Sequence, residues 1–295
     1  PRFEPPDGSS PEEFLRRLCI EGLRERYRGN PRRCKNGELA PEVTERLERE
    51  LHVINTLGFP NYFLIVWDFV RFARSRGIQA TARGSGVGSL VGFALHLSHV
   101  CPLEYDLLFE RFLDLNRREA PDIDIDFCQE RREEVIQYVK EKYGHENVAQ
   151  ICTFNTLAAR AAIRDVGRVL GLPIAFVNEV TTLVPNTPHL TIEKALQLSE
   201  DLRRRYDNDP QIREVINYAC QIEGLARNVG THAAAVVIAD RPLTDYLPLQ
   251  RIQGKEEVIT QWEMGCVEKA GLLKMDFLGL RNLTILSKVI ALIEQ

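Results

Sequence analysis

Three aspartates spaced two residues apart are the part of this sequence best suited to chemistry. The stretch from Pro121 to Phe127 reads PDIDIDF, so that Asp122, Asp124 and Asp126 alternate with apolar residues. This alternation predicts a β-strand with its carboxylates on one face, where residues two apart have Cα atoms ~6.6–6.8 Å apart. Such carboxylates can converge on shared cations. A solvated acidic edge strand is the alternative, and a calcium loop is disfavoured because Phe127 stands where that loop needs glycine.

A glycine-rich turn is the second candidate. Residues 82–89 read ARGSGVGS and are followed by an apolar helical pattern. Glycines let the backbone approach a ligand, and free N–H groups at a helix N-terminus favour a phosphate. The stretch lacks the Gly-Lys-Ser/Thr of a Walker motif and is not a dinucleotide fingerprint. A tight turn with close helix packing is therefore the alternative.

A further aspartate lies near the end of the chain. The pattern LLKMDF predicts a strand over 272–277, on which Lys274 and Asp276 share a face. A Gly-Ser turn, an Asp-x-Asp strand and a later single Asp together describe a nucleotidyl-transfer site. That chemistry uses two divalent cations about 3.5–4 Å apart, and oxygen ligands favour Mg²⁺. Lys274 would neutralise developing charge, or would simply form an ion pair with the aspartates.

A basic stripe is the fourth candidate. The helix predicted over 156–170 carries Arg160, Arg164 and Arg168 at spacings of four, so that the three cations share one face. Contact with a phosphate backbone is the functional interpretation. A solvated helix face with Asp165 nearby is the alternative.

The elements that must position these residues form an α+β chain. Helices are predicted from residue 11, from 41 and over 62–76, then over 102–113 and 129–143, with strands over 148–154, 233–239, 258–262 and 272–277 and a hairpin turn at 254–257. The 148–154 strand is expected to run parallel to the aspartate strand after a right-handed crossover. Between about 155 and 228 the pattern is helical throughout, which predicts an inserted all-helical segment.

Composition excludes several classes of protein. The 295 residues are 44% hydrophobic and 27% charged with a net charge of −4, so that any nucleic-acid surface must be local. The seven cysteines include no CxxC pair, which indicates reduced thiols in a cytoplasm. No signal peptide or membrane-spanning apolar run is apparent. Because the chain starts at Pro1 without Met and stops at Gln295 inside a helical pattern, we expect a piece of a longer protein.

Six consecutive motifs resemble those of the alpha subunits of bacterial replicative DNA polymerase III, the C family of DNA polymerases. They are ARGSGVGSL, LLFERFL, PDIDIDFC, FNTLAARAAIRDVGRVLG, RNVGTHAAAVVIA and LLKMDFLGLRNLTI. The resemblance covers essentially the whole chain. It implies a DNA-directed DNA polymerase that transfers deoxynucleotides to a primer 3′-hydroxyl with two Mg²⁺ ions.

The resemblance also implies roles for the acidic cluster. The family's metal-binding aspartates fall on Asp122, Asp124 and Asp276, and its active-site lysine falls on Lys274. The third acid of the strand, Asp126, is not a principal ligand in the family.

Triphosphate binding is implied for a second set of residues. The family's Gly-Ser pair falls on Gly84 and Ser85, and Arg111 matches the arginine of its FERF motif. Arg83 and Arg117 lie at positions that are basic in the family.

The implied fold is a nucleotidyltransferase-type palm, shared with family X polymerases, with a mixed β-sheet and an inserted all-helical thumb. The palm would occupy 1–153 and 232–281, the thumb 154–231, and a helix leading toward the fingers 282–295. A phosphoesterase-like domain, the fingers and the clamp-binding region would lie outside this chain. The implied partners are primer–template DNA, deoxynucleoside triphosphates, the rest of the polymerase chain, and the sliding clamp and other replisome subunits. The implied location is the bacterial cytoplasm at the nucleoid, with no membrane partner.

Two other classes of function stay open. One is a free-standing nucleotidyltransferase acting on a small molecule or a protein, which the helical insertion with its basic stripe disfavours. The other is a non-catalytic nucleic-acid-binding module, which the complete set of three aspartates with Lys274 disfavours. We further expect the isolated chain to be weakly active or inactive as a polymerase.

Overall fold

The computed structural model describes residues 1–116, 120–252, 254 and 257–294. The chain divides into two compact units. The first, called the sheet unit below, comprises Pro1–Cys152 and Thr231–Gln295, and the second, called the helical unit, comprises Thr153–Gly230. The predicted hairpin turn at 254–257 includes residues outside the described ranges.

Helices dominate both units. The described α-helices are α1 Pro11–Arg26, α2 Pro41–Thr56, α3 Pro60–Ser75, α4 Leu90–Ala94, α5 Arg132–Tyr143, α6 Ala159–Val169, α7 Ile174–Thr182, α8 Ile192–Leu198, α9 Glu200–Asn208, α10 Pro210–Ile222, α11 Met264–Lys269 and α12 Arg281–Ile293. The described strands are β1 Cys34–Lys35, β2 Glu38–Leu39, β3 Ala80–Ala82, β4 Asp124–Cys128, β5 Val148–Thr156, β6 Ala226–Ile238, β7 Leu249–Arg251, β8 Val258–Glu263 and β9 Lys274–Leu280.

Seven strands form one mixed sheet in the order β3-β4-β9-β6-β5-β8-β7, while β1 and β2 form a separate hairpin. The two strands that carry the acidic motifs, β4 and β9, are parallel neighbours. On their outer sides, β3 runs antiparallel to β4 and β6 runs antiparallel to β9. The mixed sheet with many helices confirms the predicted mixed α and β class, whereas its interpretation as a palm stays a prediction.

An aromatic cluster fixes the orientation of β4 and β9. Phe127 of β4 and Phe277 of β9 are fully buried, with ring centroids 5.6 Å apart, and Phe69 of α3 packs 4.5 Å from Phe277. Side chains alternate between the two faces of a strand. Because Phe127 and Phe277 occupy the face that packs on the core, Asp124 and Asp276 occupy the opposite face. The core thus sets which face of the sheet is acidic.

Helix boundaries follow the sequence signals at some places and not at others. Helix α1 begins at residue 11 as predicted, with a capping box in which the Ser10 side chain accepts from the Glu13 backbone and the Glu13 side chain accepts from the Ser10 backbone. The prediction of a helix over 102–113 is wrong. That stretch consists of turns, with a short 3₁₀ helix at Phe109–Arg111.

The helical unit has a hydrophobic core of its own. Its helices α6 and α10 contribute fully buried residues such as Ile163, Ile212 and Ile216, and α7 contributes the buried Val177. Helices α6 and α7 approach closely at Gly167, where an added Cβ would lie 2.5 Å from a methyl group of Val177. Burial of this apolar surface stabilises the helices of the helical unit.

Within the described ranges, no single helix is long and apolar enough to cross a membrane. Taken together, the consecutive helices α2 and α3 reach the length and apolar composition of a membrane span, but they are bent by 112° at the break between them.

Candidate active site

The aspartates of the two acidic motifs converge in the sheet unit. Asp124 and Asp276 are direct partners in the parallel pairing of β4 with β9. Asp122 lies two residues before β4, so the predicted strand over 121–127 begins later than expected. One carboxylate oxygen from each of the three residues lies within 4.8 Å of the other two. Among the described residues this group could hold a metal ion.

Alternation along both strands accounts for this convergence. On β9, Met275 and Phe277 are buried in the core, and Lys274 and Asp276 occupy the other face. On β4, Ile125 is likewise buried in the core. A period of two in two adjacent strands therefore lines up acids and a lysine on one surface.

Lys274 bridges two of the carboxylates. Its Nζ donates to both oxygens of Asp122, at 2.9 and 2.7 Å, and to Oδ2 of Asp276 at 2.7 Å. Burial acts to lower the pKa of Lys274, but hydrogen bonds to the two carboxylates outweigh it and raise that pKa. The side chain is therefore an ammonium ion that offsets part of the cluster's negative charge.

The central aspartate holds its proton more tightly than usual. Burial, the adjacent carboxyl group of Asp276 and the charge of Asp122 raise the pKa of Asp124 to about 6, while Arg83 opposes the shift. Oδ1 of Asp276 is buried and has no hydrogen-bond partner within the described part of the chain. A shared proton or a bound cation would each satisfy that oxygen. The arrangement thus disfavours full ionisation without added positive charge.

Arg83 pairs with the acids of β4. Its Nε lies 3.1 Å from Oδ1 of Asp126, and its Nη2 lies 3.7 Å from Oδ2 of Asp124. Burial raises the pKa of Asp126, and the Arg83 guanidinium acts against that rise. Asp126 is thus paired with a cation, whereas Oδ1 of Asp276 has no partner among the residues that the structure describes. The triphosphate-binding role of Arg83 stays a prediction.

The glycine-serine turn lies beside the acidic cluster. Residues Gly84–Gly88 form a 3₁₀ turn, and the backbone N–H of Arg83 donates to the carbonyl of Asp124 at 3.1 Å. Gly84 has φ +70°, a conformation that favours glycine, and an added Cβ would lie 3.6 Å from Asp124 Oδ2. Ser85 is exposed. The structure therefore brings the turn and the aspartates together.

The helix that follows the turn does not offer its first free N–H groups to a ligand. The backbone N–H groups of Leu90 and Val91 in α4 donate to the carboxylate of Glu50, at 2.9 and 3.0 Å. The expectation that N–H groups at this helix start would be free for phosphate is wrong for these two. Sequence reasoning missed Glu50. A signal was present, because Glu50 lies seven residues after Val43 on the apolar stripe of α2.

Comparison with known proteins places the chain in a family. A family model described as the bacterial DNA polymerase III alpha NTPase domain matches residues 13–279. The chain belongs to the bacterial DNA polymerase III alpha family. The resemblance drawn from its motifs is thereby confirmed.

Over the region that they match, curated relatives are nearly half identical to this chain. The DNA polymerase III subunit alpha of Halalkalibacterium halodurans is 48% identical over 296 residues, that of Bacillus subtilis (strain 168) 46% over 297, and that of Escherichia coli (strain K12) 45% over 300. Each match covers 100% of this chain and 26% of the relative. The chain therefore spans about a quarter of the length of these family members.

Of two further arginines matched to family motifs, the structure describes only one. Arg111 is exposed in the 3₁₀ helix Phe109–Arg111. Arg117 lies outside the described residues. For both, the role implied by the family stays a prediction.

The basic stripe of α6 in the helical unit is not uniform. Arg160 is half-buried and donates to the carbonyl of Val184 at 2.6 Å, so that it ties the unit together. Arg164 is exposed, and Arg168 is exposed with an ion pair to Asp165 at 3.2 Å. Sequence reasoning missed Arg227, an exposed residue of β6 that also pairs with Asp165, at 3.1 Å. Its contribution depends on a contact between residues 62 positions apart, which no local pattern shows.

A divalent cation fits the acidic cluster on three counts. Asp122, Asp124 and Asp276 supply hard oxygen donors, which divalent cations such as Mg²⁺ prefer. Among the described residues, a buried oxygen of Asp276 has no hydrogen-bond partner, and burial together with the neighbouring acids raises the pKa of Asp124. A cation bound there would relieve both features.

Proposed function

We propose that this chain provides the catalytic centre of a replicative DNA polymerase, which transfers deoxynucleotides from their triphosphates to a primer 3′-hydroxyl under the direction of a template. The convergence of Asp122, Asp124 and Asp276 beside Gly84 is the observation that carries the proposal. The printed names of the relatives, DNA polymerase III subunit alpha, support it. The sheet unit would be the palm and the helical unit the thumb.

The three aspartates would hold two Mg²⁺ ions, which would activate the primer hydroxyl and stabilise charge on the triphosphate. Lys274 keeps its proton through its hydrogen bonds to Asp122 and Asp276, so that it carries a fixed positive charge into the reaction. Such a preorganised charge can stabilise negative charge that develops on the leaving pyrophosphate.

The turn would hold the triphosphate. Backbone N–H groups of Gly84 and Ser85 and the Ser85 hydroxyl are the donors that the family resemblance assigns to this task. Gly84 lies against Asp124, so that a triphosphate held there would lie beside the acids. Arg83, Arg111 and Arg117 would add positive charge around it.

The basic stripe would contact the DNA backbone. We propose that Arg164 and Arg168 bind duplex phosphates, and that Arg160 joins them when its guanidinium leaves the carbonyl of Val184. Arg227 adds a further cation beside Asp165. The other partners would be the remaining parts of the polymerase chain, the sliding clamp and other replisome subunits, at the bacterial nucleoid.

Primer extension by a full-length alpha subunit that contains these residues tests the proposal. With Mg²⁺, deoxynucleoside triphosphates and primed template, Asp124→Asn should abolish extension. Asp126→Asn is the matched control, because Asp126 lies on the same strand but pairs with Arg83, and it should keep most activity. Template-independent transfer to a small molecule or protein would instead support a free-standing nucleotidyltransferase. DNA binding without any transfer would support a non-catalytic module.

A further inference from the structure

A buried ion pair lies directly behind the glycine-serine turn. Glu50 of α2 is fully buried, and its Oε1 accepts from Nε of Arg46 at 2.6 Å, one helical turn earlier. The other hydrogen bonds to this carboxylate all come from residues 89–91, where the turn leads into α4. Ser89 Oγ donates at 2.9 Å, and the N–H groups of Leu90 and Val91 donate at 2.9 and 3.0 Å. Both oxygens of Glu50 therefore bind the segment where the turn ends.

Arg46 binds the same junction from its other side. Its Nη2 donates to the carbonyl of Gly88 at 2.9 Å and to the carbonyl of Leu107 at 2.9 Å. Gly88 leaves no space for a side chain, because an added Cβ would lie 2.9 Å from the carbonyl oxygen of Leu108. Arg46 thus holds the last residue of the turn against the 107–108 segment.

The opposite end of the turn is attached to the acidic strand. The N–H of Arg83 donates to the carbonyl of Asp124, and Gly84 lies against the Asp124 carboxylate. The turn therefore spans two anchors, one at the metal-binding acids and one at the buried pair on α2. Its position relative to the acids depends on both.

We propose that Arg46 and Glu50 are positioning residues for nucleotide binding, which hold the Gly84–Gly88 turn where its donors meet the triphosphate. This inference rests on the proposed function. Neither residue would touch the nucleotide, since the side chain of Glu50 is buried and that of Arg46 is largely buried.

A neutral side chain of the same shape cannot replace Glu50. Glutamine would keep one acceptor oxygen, but its NH₂ group would face donors that now bind the second oxygen. Repulsion between donors would move Ser89 and the N–H groups of α4, and the turn with them. Because the turn would bind the triphosphate similarly in the ground and transition states, its displacement should raise KM more than it lowers kcat.

Asp68 provides a matched control in the same unit. This aspartate of α3 is also fully buried, accepts from Tyr138 at 2.9 Å and Tyr143 at 3.2 Å, and pairs with Lys142 at 2.6 Å. All three of these partners lie on α5, and the turn is not among them. Asp68→Asn should therefore report the general cost of disturbing a buried carboxylate in this unit.

The test uses a full-length alpha subunit that contains these residues, with primed template and Mg²⁺. Glu50→Gln should raise the KM for deoxynucleoside triphosphate about tenfold while kcat changes less than about threefold, as expected for loss of uniform binding. Asp68→Asn should leave KM unchanged at a temperature where both variants are folded. Equal KM values in the two variants would overturn the proposal.

Amide hydrogen exchange separates this inference from the polymerase assignment. Glu50→Gln should speed exchange at residues 84–91, and Asp68→Asn should not, whatever reaction the protein catalyses. If exchange responds in this way but the unaltered protein fails to extend primers, the proposed function fails and the anchoring of the turn stands. Should Glu50→Gln not fold, Arg46→Lys keeps a positive charge and should raise KM by about threefold. An unchanged KM in that variant would also overturn the proposal.

Discussion

Glu50 and Asp276 are both buried carboxylates of the sheet unit, and they differ in what surrounds their oxygens. Glu50 accepts from Arg46, Ser89, Leu90 and Val91, so that protein donors serve both of its oxygens. Asp276 receives Lys274 at one oxygen, while the other is buried with no partner among the described residues. The first carboxylate is satisfied within the fold, and the second keeps an acceptor oxygen that none of the described residues satisfies.

Burial alone does not distinguish these two roles. Burial raises the pKa of Glu50, and the N–H groups of Leu90 and Val91 oppose that rise. At the acidic cluster, burial likewise raises the pKa of Asp124, but the neighbouring Asp276 adds to the rise. The difference between opposing donors and reinforcing acids separates a structural carboxylate from a candidate metal ligand.

The largest effect that would sharpen this comparison is on catalysis. Asp276→Asn in a full-length alpha subunit should lower kcat by roughly 10³-fold, because a lost metal ligand removes several kcal/mol of transition-state stabilisation. The melting temperature should stay the same or rise, since the amide has less charge to bury. Single-turnover primer extension and thermal unfolding measure the two effects. A variant that unfolds but retains its rate when folded would reverse the roles assigned here.

The next effect is on stability and concerns Glu50. Glu50→Ala should lower the free energy of unfolding by about 3–5 kcal/mol, because Arg46 would be left as a largely buried charge without its partner. Denaturant unfolding of the variant and the unaltered chain gives this difference. A cost below about 1 kcal/mol would mean that water or another acceptor replaces the carboxylate.

The pH dependence of stability tests the acidic cluster without any assay of activity. The pKa of Asp124 is about 6 in the folded chain against an ordinary value of 3.8, so that the folded state binds this proton more tightly than the unfolded state. Its stabilising contribution is therefore complete below about pH 4 and is lost as pH rises through about 6.

We expect the melting temperature of the unaltered chain in EDTA to fall relative to that of Asp124→Asn across this range of pH. Adding Mg²⁺ above pH 6 should reduce the gap, because the cation would favour the ionised carboxylates. Parallel melting curves of the two proteins at all pH values would contradict the raised pKa.

The smallest expected effect is on the salt dependence of DNA binding, and it compares the half-buried arginine of α6 with the exposed ones. Arg160 binds a carbonyl of its own unit, whereas Arg164 and Arg168 are exposed. Arg164→Gln should reduce the slope of log affinity for DNA against log salt by up to about 0.9, if one phosphate contact is lost. Arg160→Gln should change this slope less and should destabilise the helical unit more. Equal slopes for Arg164→Gln and the unaltered protein would assign Arg164 to a solvated surface.

Local patterns predicted the pieces of the candidate site better than their arrangement. Alternation in DIDF and KMDF predicted the strands that became β4 and β9, because burial of Phe127 and Phe277 enforces a period of two. Likewise, α1 begins at residue 11 as predicted, since the capping box of Ser10 and Glu13 that starts it involves neighbouring residues only.

Contacts between residues far apart in the chain could not be predicted from the sequence. Nothing local indicates that β9 and β6 lie between β4 and β5, or that Glu50 binds backbone groups 40 and 41 residues away. The stretch 102–113 has helical periodicity, yet its backbone follows tertiary contacts such as that of Arg46 with Leu107. Tertiary context outweighed local preference at these places.

The pairing of β4 with β9 also has a consequence for how the protein is made. Lys274 binds the carboxylate of Asp122, which lies 152 positions earlier in the chain. The residues of the helical unit come between these two positions in the sequence. Closing so long a loop is entropically costly, although a separately folded insert shortens the effective loop. During synthesis, the acids of β4 leave the ribosome long before Asp276 does. The nascent chain therefore carries an incomplete candidate cation site until β9 docks, and if the cluster binds Mg²⁺ as proposed, that binding would mark a late stage in the folding of this unit.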